Sequence, residues 1–235
     1  MAIAFRAATT ASKGDTGSTL VINVPTGTVN DDMILLGVVT RSANTVTTPT
    51  GFTLVGSALS DTVSSSARLY VYQRTAASEP ASYTVTLSGA QAAAAAMASY
   101  SGAASVDASL GTIDTAGDTS LTADAITTTV ADTMIVYFGS VNGSASVGDI
   151  TPPTAMTERG EIESTGTRLL RLEIADVAQA ASGTTGAKTA TIAAAPGGDE
   201  ACYLVALAPA AAGAAVLPDR HFPRGVDRGL TRGVA

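Results

Sequence analysis

The side chains that could carry out chemistry are few in this chain. Its only imidazole is His221, and its only thiol is Cys202, which lies in the apolar run ACYLVAL. Nucleophilic catalysis of the Ser-His-Asp or Cys-His type needs an imidazole to hold the proton, and zinc sites need several His or Cys ligands. We therefore expect no enzyme of these classes, no such metal site and no intramolecular disulfide, with Cys202 a buried, inert thiol.

Carboxylates are the remaining catalytic candidates. Asp31 and Asp32 are adjacent where a strand is predicted to begin, and adjacent strand residues point to opposite faces. We interpret Asp31, and Asp132 at the matching place later in the chain, as structural turn residues whose carboxylates accept hydrogen bonds from nearby backbone amides. Calcium binding or catalysis is the alternative interpretation for these two residues.

A second acidic group contains Glu158, Glu161 and Glu163, whose spacing does not match a calcium loop. We predict that these residues form a solvated strand end. A glycosidase cleft would need opposed carboxylates and aromatic platforms, but the chain has no Trp, four Phe and six Tyr. The phosphate-binding patterns GxGxxG and GxxxxGK[ST] are also absent. The sequence thus predicts neither an enzyme nor a cofactor.

Composition and charge exclude further classes of protein. Hydrophobic residues make up 46% of the 235 residues, but many of them are Ala, and the net charge is −7. Thr and Val favour strands, whereas an acidic, charge-poor surface argues against nucleic-acid binding. No stretch has the roughly 18 apolar residues of a membrane helix. The first residues are too weakly apolar for a secretory signal, so we expect the protein to be made and kept in a cytoplasm.

The chain contains an internal repeat. At an offset of 101 residues, five residues of GTVNDDMILLGVV (27–39) are identical to residues of TTTVADTMIVYFGSV (127–141). Four further segments of the first half recur in the same order, offset by about 100 to 107 residues: TPTGFTLVGS, ARLYVYQR, SYTVTL and AAAAMASYSGA. We interpret this as a duplication with halves at about 19–103 and 120–209. Two copies of one strand set predict either one fused sandwich or two stacked ones.

The repeated segments have the pattern of β-strands. Val85 and Leu87 alternate with threonines, and Gly, Pro and Ser separate the segments, which predicts a sandwich or barrel. Alignment of ARLYVYQR with TRLLRLEI assigns Tyr70, Tyr72, Leu170 and Leu172 to one inward face and Arg171 outward, with Arg68 and Arg168 beginning the two strands. The alanine-rich run 91–100 is predicted as a strand, with a short helix as the alternative, because Ala also favours helices.

The C-terminal segment differs chemically from the predicted body, residues 1–209. Residues 210–218 resemble a linker, and residues 219–235 form a basic arm with four arginines at intervals of four. Prolines and glycines argue against a helix there. Docking on an acidic neighbour, simple solubility and nucleic-acid contact are the three interpretations. For docking, the partner-binding residues would be Arg220, Phe222, Arg224, Val226, Arg228, Leu230 and Arg232.

Seven motifs occur in order between Ile3 and Pro209: VNDDMILLGVVT, TPTGFTLVGS, LYVYQRTAASEPASYTVTLSG, SYSGA, TTTVADTMIVY, TPPTAMTERGE and YLVALAP. This set resembles a family of tailed-bacteriophage and prophage virion proteins, described as minor structural, decoration or tail proteins. In the family's TPxG motif an aromatic residue, usually Trp, follows the Gly. Here Phe52 occupies that place, and the second copy departs from the motif with Ala155 and Met156. The resemblance implies a jelly-roll β-sandwich on the outside of a particle.

The function expected from these observations is structural. We expect a non-enzymatic virion protein, assembled in the host cytoplasm, that decorates or cements the capsid through its arm. Its partners would be the major capsid protein or tail proteins, and its own state a homo-oligomer such as a trimer. The alternative function is a tail-associated module that binds a host-surface glycan, and a hydrolase is a third candidate. Neither nucleic acid nor membrane is an expected partner.

Overall fold

The chain folds as an all-β protein. The computed structural model describes residues 2–41, 44–60, 67–114, 117–143, 146, 148–167, 169–196 and 200–211, and these residues form strands and no helix. The strands are β1 (Ala4–Lys13), β2 (Thr19–Asn23), β3 (Met33–Arg41), β4 (Val46–Thr47), β5 (Thr53–Leu54), β6 (Leu59–Ser60), β7 (Ala67–Thr75), β8 (Ser82–Leu87), β9 (Ala93–Ser101), β10 (Ala103–Asp114), β11 (Ser120–Ala123), β12 (Thr127–Thr128), β13 (Thr133–Gly143), β14 (Ile150–Thr151), β15 (Thr157–Glu163), β16 (Leu169–Gln179), β17 (Gly183–Thr184), β18 (Lys188–Ile192) and β19 (Glu200–Pro209).

The sheets form two sandwiches, stacked through their larger sheets. The first sandwich pairs the sheet β1-β9-β3-β7-β5, which β6 extends at β7, with the small sheet β2-β8-β4. The second pairs β10-β19-β13-β16-β15 with the small sheet β11-β18-β14, and β12 and β17 form a separate ribbon. One apolar core lies inside each sandwich, and a third, central core lies between the two large sheets. All-β sandwich architecture, predicted from the strand pattern, is confirmed.

The central strands of both large sheets are buried on both faces. In β3, Met33, Leu35 and Val39 belong to the central core, while Ile34 and Leu36 belong to the core of the first sandwich. This double burial explains why the sequence of β3 is a continuous apolar run, since alternation appears only where one face meets water. The alanine-rich run forms β9, as predicted, and its small side chains let the sheets on either side approach closely.

The two halves have the same strand order and pairing register. In each large sheet the first strand pairs with the last, and the last pairs with the strand that carries the shared Met-Ile motif. Two edge strands, β1 and β10, precede the predicted halves, which begin at about residues 19 and 120. Their mixture of Ala, Thr and Ser lacks alternation, and this is why the sequence did not indicate them.

The predicted correspondence between β7 and β16 is wrong by three residues. Thr40 pairs with Arg68 and Val141 pairs with Arg171, so the register matches Arg68 with Arg171. An odd shift moves a side chain to the other face of a strand. Tyr70 and Tyr72 accordingly lie inside the first sandwich, whereas Leu170 and Leu172 lie in the central core. All four residues are buried, as predicted, but they do not share a face.

Corresponding strands of the two large sheets run in the same direction, as three contacts between the edge strands β1 and β15 show. Arg159 lies over the ring of Phe5, Gly160 lies beside Thr10, and Gly14 lies beside Thr165. The strands β1 and β15 are therefore parallel. Within their sheets β3 is parallel to β1, and β13 is parallel to β15, so β3 and β13 are also parallel to each other. The turns that precede β3 and β13 therefore lie at the same end of the molecule.

Polar contacts join the halves around the central core. Two hydrogen bonds to Asp176 of its own half, at 2.9 and 2.8 Å, hold Arg159 in place. Its guanidinium carbon lies 4.1 Å from the centre of the Phe5 ring in the other half. At the other edge the hydroxyl of Tyr203 donates to the carbonyl oxygen of Val55 at 2.9 Å. At the end opposite the turns that precede β3 and β13, the amide of Thr167 donates to a carboxylate oxygen of Asp15 at 2.8 Å. The halves thus pack as one body.

Gly37 and Phe138 face each other in the central core between the two large sheets. A Cβ atom placed on Gly37 would lie 2.6 Å from Cδ1 of Phe138 and 2.7 Å from its Cε1. Both residues are fourth after the shared methionine, Met33 or Met134, so corresponding positions of the two halves face each other with a hole and a knob. The absence of a side chain at Gly37 is what allows the Phe138 ring to fill the central core.

We predict that Gly37→Ala destabilises the protein by about 1–3 kcal/mol, because the added methyl group displaces a fully buried ring. The double variant Gly37→Ala/Phe138→Leu should recover part of this loss, because leucine vacates the space that the methyl group needs. Denaturant unfolding of Gly37→Ala, Phe138→Leu and the double variant measures both effects. Additive losses in the double variant would contradict the hole-and-knob interpretation.

Candidate functional site

Among the described residues, the thiol of Cys202 and the hydroxyl of Tyr137 are buried together. Cys202 is buried, as predicted, and its sulfur lies 3.3 Å from the hydroxyl of Tyr137, which donates to the carbonyl oxygen of Leu121. Burial raises the pKa of the Tyr137 hydroxyl well above its usual value. No group of three or more His, Cys, Asp or Glu side chains in this part of the chain is arranged to hold a metal ion. His221 lies outside the described residues.

Asp31 and Asp132 occupy corresponding turns in left-handed backbone conformations, with φ of 69° and 57°. The amide of Asp31 donates to Ala76 at 2.9 Å, and the amide of Asp132 donates to Ala180 at 3.0 Å. Both residues therefore shape their turns through the backbone. The carboxylate that accepts a turn amide is that of Asp32, from Val29 at 2.9 Å, rather than that of Asp31 as we expected.

The two turns are anchored to their edge strands by opposite charges. Asp32 forms an ion pair with Arg6 at 2.5 Å, and Arg6 is the bulged residue of β1. Of the two bulges of β10, the one that corresponds to Arg6 carries Asp107, which accepts a hydrogen bond from the amide of Thr129 at 2.7 Å. Bulges re-aim a side chain out of the pairing register, and here the bulges at Arg6 and Asp107 both aim it at the turn before the central strand.

This lower end of the body, defined by Val29, Val130, Gly102 and Ala210, is called the turn end below. Val29 and Val130 are 52% and 39% exposed, on corresponding turns. The amide of Ala210 donates to the carbonyl oxygen of Gly102 at 2.7 Å, so the last described residues also leave the body here. The predicted arm residues Arg220, Phe222, Arg224, Val226, Arg228, Leu230 and Arg232 lie outside the described residues.

Four carboxylates lie at the side of the second sandwich and are called the acidic ridge below. Asp149 directly precedes β14, and Glu158, Glu161 and Glu163 lie in β15. A guanidinium nitrogen of Arg171 lies 2.8 Å from Asp149 and 2.7 Å from Glu161, and another lies 3.4 Å from Glu163. Only 11% of the Arg171 side chain is exposed, so this arginine lies in an ion network rather than pointing into solvent as predicted. The ridge is therefore a built network, more than the solvated strand end that the sequence indicated.

Glu173 lies beside the ridge with no exposed surface, and within the described residues neither carboxyl oxygen has a hydrogen-bond partner. It pairs with Glu161 across the β15–β16 ladder, so the two side chains project from the same face. Burial raises the pKa of Glu173 to about 8, and the charges of Glu158 and Glu161 act in the same direction. Burial, with Glu161 and Asp149, likewise raises the pKa of Glu158.

Comparison of the chain with known protein families, curated proteins and solved structures finds no match. The described segments also contain no helix with the length and hydrophobicity of a membrane span.

The first half has no acidic ridge at the corresponding positions. By strand pairing, Leu54 of the first half corresponds to Glu158, and Ser60 corresponds to Glu163. Leu54 pairs with Tyr72 and Glu158 with Ala175, whereas Ser60 pairs with Arg68 and Glu163 with Arg171. Arg68 donates to the hydroxyl of Ser60 at 3.0 Å, where Arg171 meets a carboxylate. The sequence did contain a signal for this network, since Arg171 and Glu173 alternate in an otherwise apolar strand.

The TPTG turn of the first half encloses an arginine. Gly51 has φ +81°, and a Cβ atom there would lie 1.6 Å from a guanidinium nitrogen of Arg74. Arg74 is held by Glu79 at 2.8 Å and lies 6.0 Å from the centre of the Phe52 ring. Ala155 occupies the corresponding turn of the second half with φ 68°, and Met156 replaces Phe52 in the adjacent core. Both residues after the turn are buried, so neither offers an exposed aromatic group.

We predict opposite effects for two matched substitutions at these turns. Gly51→Ala should lower the free energy of unfolding by about 2–4 kcal/mol, because it adds left-handed strain and expels the Arg74 guanidinium. Ala155→Gly should change it by about 0 to +1 kcal/mol, because removal of the Cβ relieves strain at a cost in chain entropy. Denaturant unfolding of both variants tests this, and a loss of more than 1 kcal/mol in Ala155→Gly would contradict it.

We predict that Glu173 makes stability fall as the pH rises. Its folded pKa lies above the unfolded value, so its favourable contribution is complete below about pH 4.5 and is lost as pH rises through 8. Glu173→Gln should match the wild type near pH 5 and exceed it near pH 9 by on the order of 2–4 kcal/mol. Urea unfolding at several pH values measures this difference. Asp124→Asn, which removes the charge of an exposed carboxylate, is measured in parallel as the control. Parallel profiles for wild type and Glu173→Gln would disprove the assignment.

Proposed function

We propose that this protein is a non-enzymatic structural protein of a bacteriophage virion, which decorates or cements the capsid through its C-terminal arm, residues 219–235. The observation that carries the proposal is that the chain leaves the body at the turn end, beside two exposed valines on corresponding turns. A body whose outgoing segment and exposed apolar residues share one end is suited to attachment by that end. The opposite end and the outer sheets then remain free of the contact.

Charge supports a role for the arm in attachment. The arm contains four Arg and two Asp, a net charge of +2, which leaves −9 on the remainder of a chain with net charge −7. Complementary charges raise the rate of encounter and fix the orientation of partners more than they raise affinity. Phe222, Val226 and Leu230 lie between the arginines and would supply apolar anchors on the major capsid protein or on tail proteins.

The fold is consistent with such a role. In each half a large sheet packs on a three-stranded sheet. The strand order of the large sheet is β1-β9-β3-β7 in the first half and β10-β19-β13-β16 in the second. This order is compatible with a jelly-roll sandwich, and its recurrence in both halves supports the duplication proposed from the sequence. Particle proteins act in many symmetric copies, and a specific contact would bury on the order of 1,000 Å² or more per pair.

The arm predicts a quantitative loss of attachment. In the full-length protein, replacement of Arg220, Arg224, Arg228 and Arg232 by Gln should lower particle occupancy roughly tenfold or more, since each 1.4 kcal/mol of lost binding is a factor of ten. Occupancy is measured by mass spectrometry of purified particles, with circular dichroism to verify that the body is folded. Replacement of the same four residues by Lys keeps the charge and should retain more occupancy than the Gln variant.

Unchanged occupancy in the Gln variant would disprove anchoring by the arm. Immunogold labelling of particles with an antibody to the body then separates the two functions. Label over the head supports capsid decoration, whereas label confined to the tail tip supports the alternative, a tail-associated module that binds a host-surface glycan.

A further inference from the structure

Among the described residues, the four carboxylates of the acidic ridge share one arginine, Arg171, which neutralises only part of their negative charge. Asp149, Glu161 and Glu163 all contact Arg171, and Glu158 stands outside that network at the start of β15. The Asp149 side chain is 90% exposed, and Glu158 is exposed as well, so both carboxylates are open to a second cation. Burial raises the pKa of Glu158, and the negative charges of Glu161 and Asp149 raise it further.

The fold itself does not require this concentration of charge. The first half forms the same sheet order with Leu54 and Ser60 in place of Glu158 and Glu163, and with Tyr70 in place of Glu173. A buried carboxyl group without a hydrogen-bond partner costs free energy of folding, whereas a buried tyrosine contributes to the core. Charges that destabilise one half and are dispensable in the other indicate a role outside folding.

Glu173 is the second, independent indication that a cation binds here. It is completely buried, neither of its oxygens has a partner among the described residues, and it projects from the same sheet face as Glu161. A cation seated on the ridge would favour the ionised form of this carboxyl group and offset the unfavourable proximity of the acids. The site thus has an exposed rim, Asp149 and Glu158, backed by a buried carboxyl group.

The chemistry of the site favours a guanidinium group. The described acids do not form a metal-holding cluster, whereas Arg171 shows that one planar guanidinium can contact three of the ridge carboxylates at once. Guanidinium groups pair with carboxylates through a rigid fork of donors, which suits a row of acids on a strand edge. The chain supplies such groups in surplus in residues 219–235, where four arginines recur at intervals of four.

We propose that the acidic ridge of one copy of this protein binds the arginines of residues 219–235 of a second copy. The inference rests on the proposed function, because it gives the attaching arm a homotypic partner. Nine residues, 210–218, separate the body from the arm and span up to about 30 Å when extended, enough to cross to a neighbour. Each copy then contributes one arm and one ridge, so the contact joins copies laterally over a particle surface.

Sedimentation velocity of the full-length protein over a range of concentrations tests the inference. At low salt we expect concentration-dependent oligomers, which dissociate at 0.5 M salt because the contact is ionic. Asp149→Lys/Glu158→Lys and, separately, Arg224→Glu/Arg228→Glu should each weaken self-association roughly tenfold or more. The combination of the four substitutions in one chain should restore it, since the charges are then exchanged between arm and ridge.

The matched control applies the same change of charge at the turn end, as Asp31→Lys/Asp132→Lys. Self-association should survive it, and its loss there but not in the ridge variant would assign the contact to the turn end and overturn the proposal. The neutral variant Asp149→Asn/Glu158→Gln should give an intermediate effect and serves if the lysine variant does not fold. A monomer at all concentrations, with the arm bound to its own ridge or free, would also overturn the proposal.

Particle occupancy distinguishes failure of this inference from failure of the proposed function. Ridge variants that do not self-associate should also lose occupancy. If ridge variants occupy particles normally while the arm variant does not, the arm binds another virion protein, and the inference fails although the proposed function stands. If neither variant changes occupancy, the proposed function fails.

Discussion

The architecture depends on the contact between the two large sheets. Each sandwich is only two layers thick, and the outer face of its large sheet carries an apolar row that must be covered, including Leu35 and Val39 in one half and Val136 and Phe138 in the other. The hole at Gly37 and the ring of Phe138 bring these rows together at the centre. Other contacts between the halves, such as Arg159 with Phe5 and Tyr203 with Val55, lie around this packing.

Asymmetry between the halves follows from that central contact. Two identical glycines would leave a cavity at the centre, and two phenylalanines would overlap, so corresponding positions had to differ. The same divergence appears at the edges, where Arg6 and Asp107 hold corresponding turns with opposite charges. It appears again in β15, where acids replace the neutral residues of the first half. The halves share a backbone plan and differ in the chemistry of their surfaces.

The sequence predicted the fold class because strand signals are local. Thr19–Asn23 and Ser82–Leu87 alternate between Thr or polar and apolar residues, and the strands were found there. The alanine-rich β9 was assigned through its repeat partner rather than its own propensity. The face assignment of Leu170 and Leu172 failed because the sequence alignment used an offset of 100 residues, whereas the strand pairing matches β7 and β16 at 103. A repeat aligned on composition alone does not fix register. The edge strands β1 and β10 gave no periodic signal.

The candidate site was harder to predict than the fold. The acids of the ridge are visible in the sequence, but their meaning depends on Arg171 and Glu173, which reach them across a strand pair. The carboxylate at the first turn belongs to Asp32 rather than Asp31, a distinction that rests on the left-handed conformation of Asp31. Long-range pairing of this kind has no local signature, because it is set by register and not by neighbours in the chain.

The edge of the first large sheet has a consequence for synthesis of the chain. Strand β1 is made first, but its partner in the ladder, β9, is made after β3 and β7, and its neighbour across the central core, β15, follows still later. When the first half leaves the ribosome, its alanine-rich and apolar central face has no cover. Until the second half is made, that face is available to other nascent chains, so translation of residues 103–209 is the period in which the protein is most exposed to misassembly.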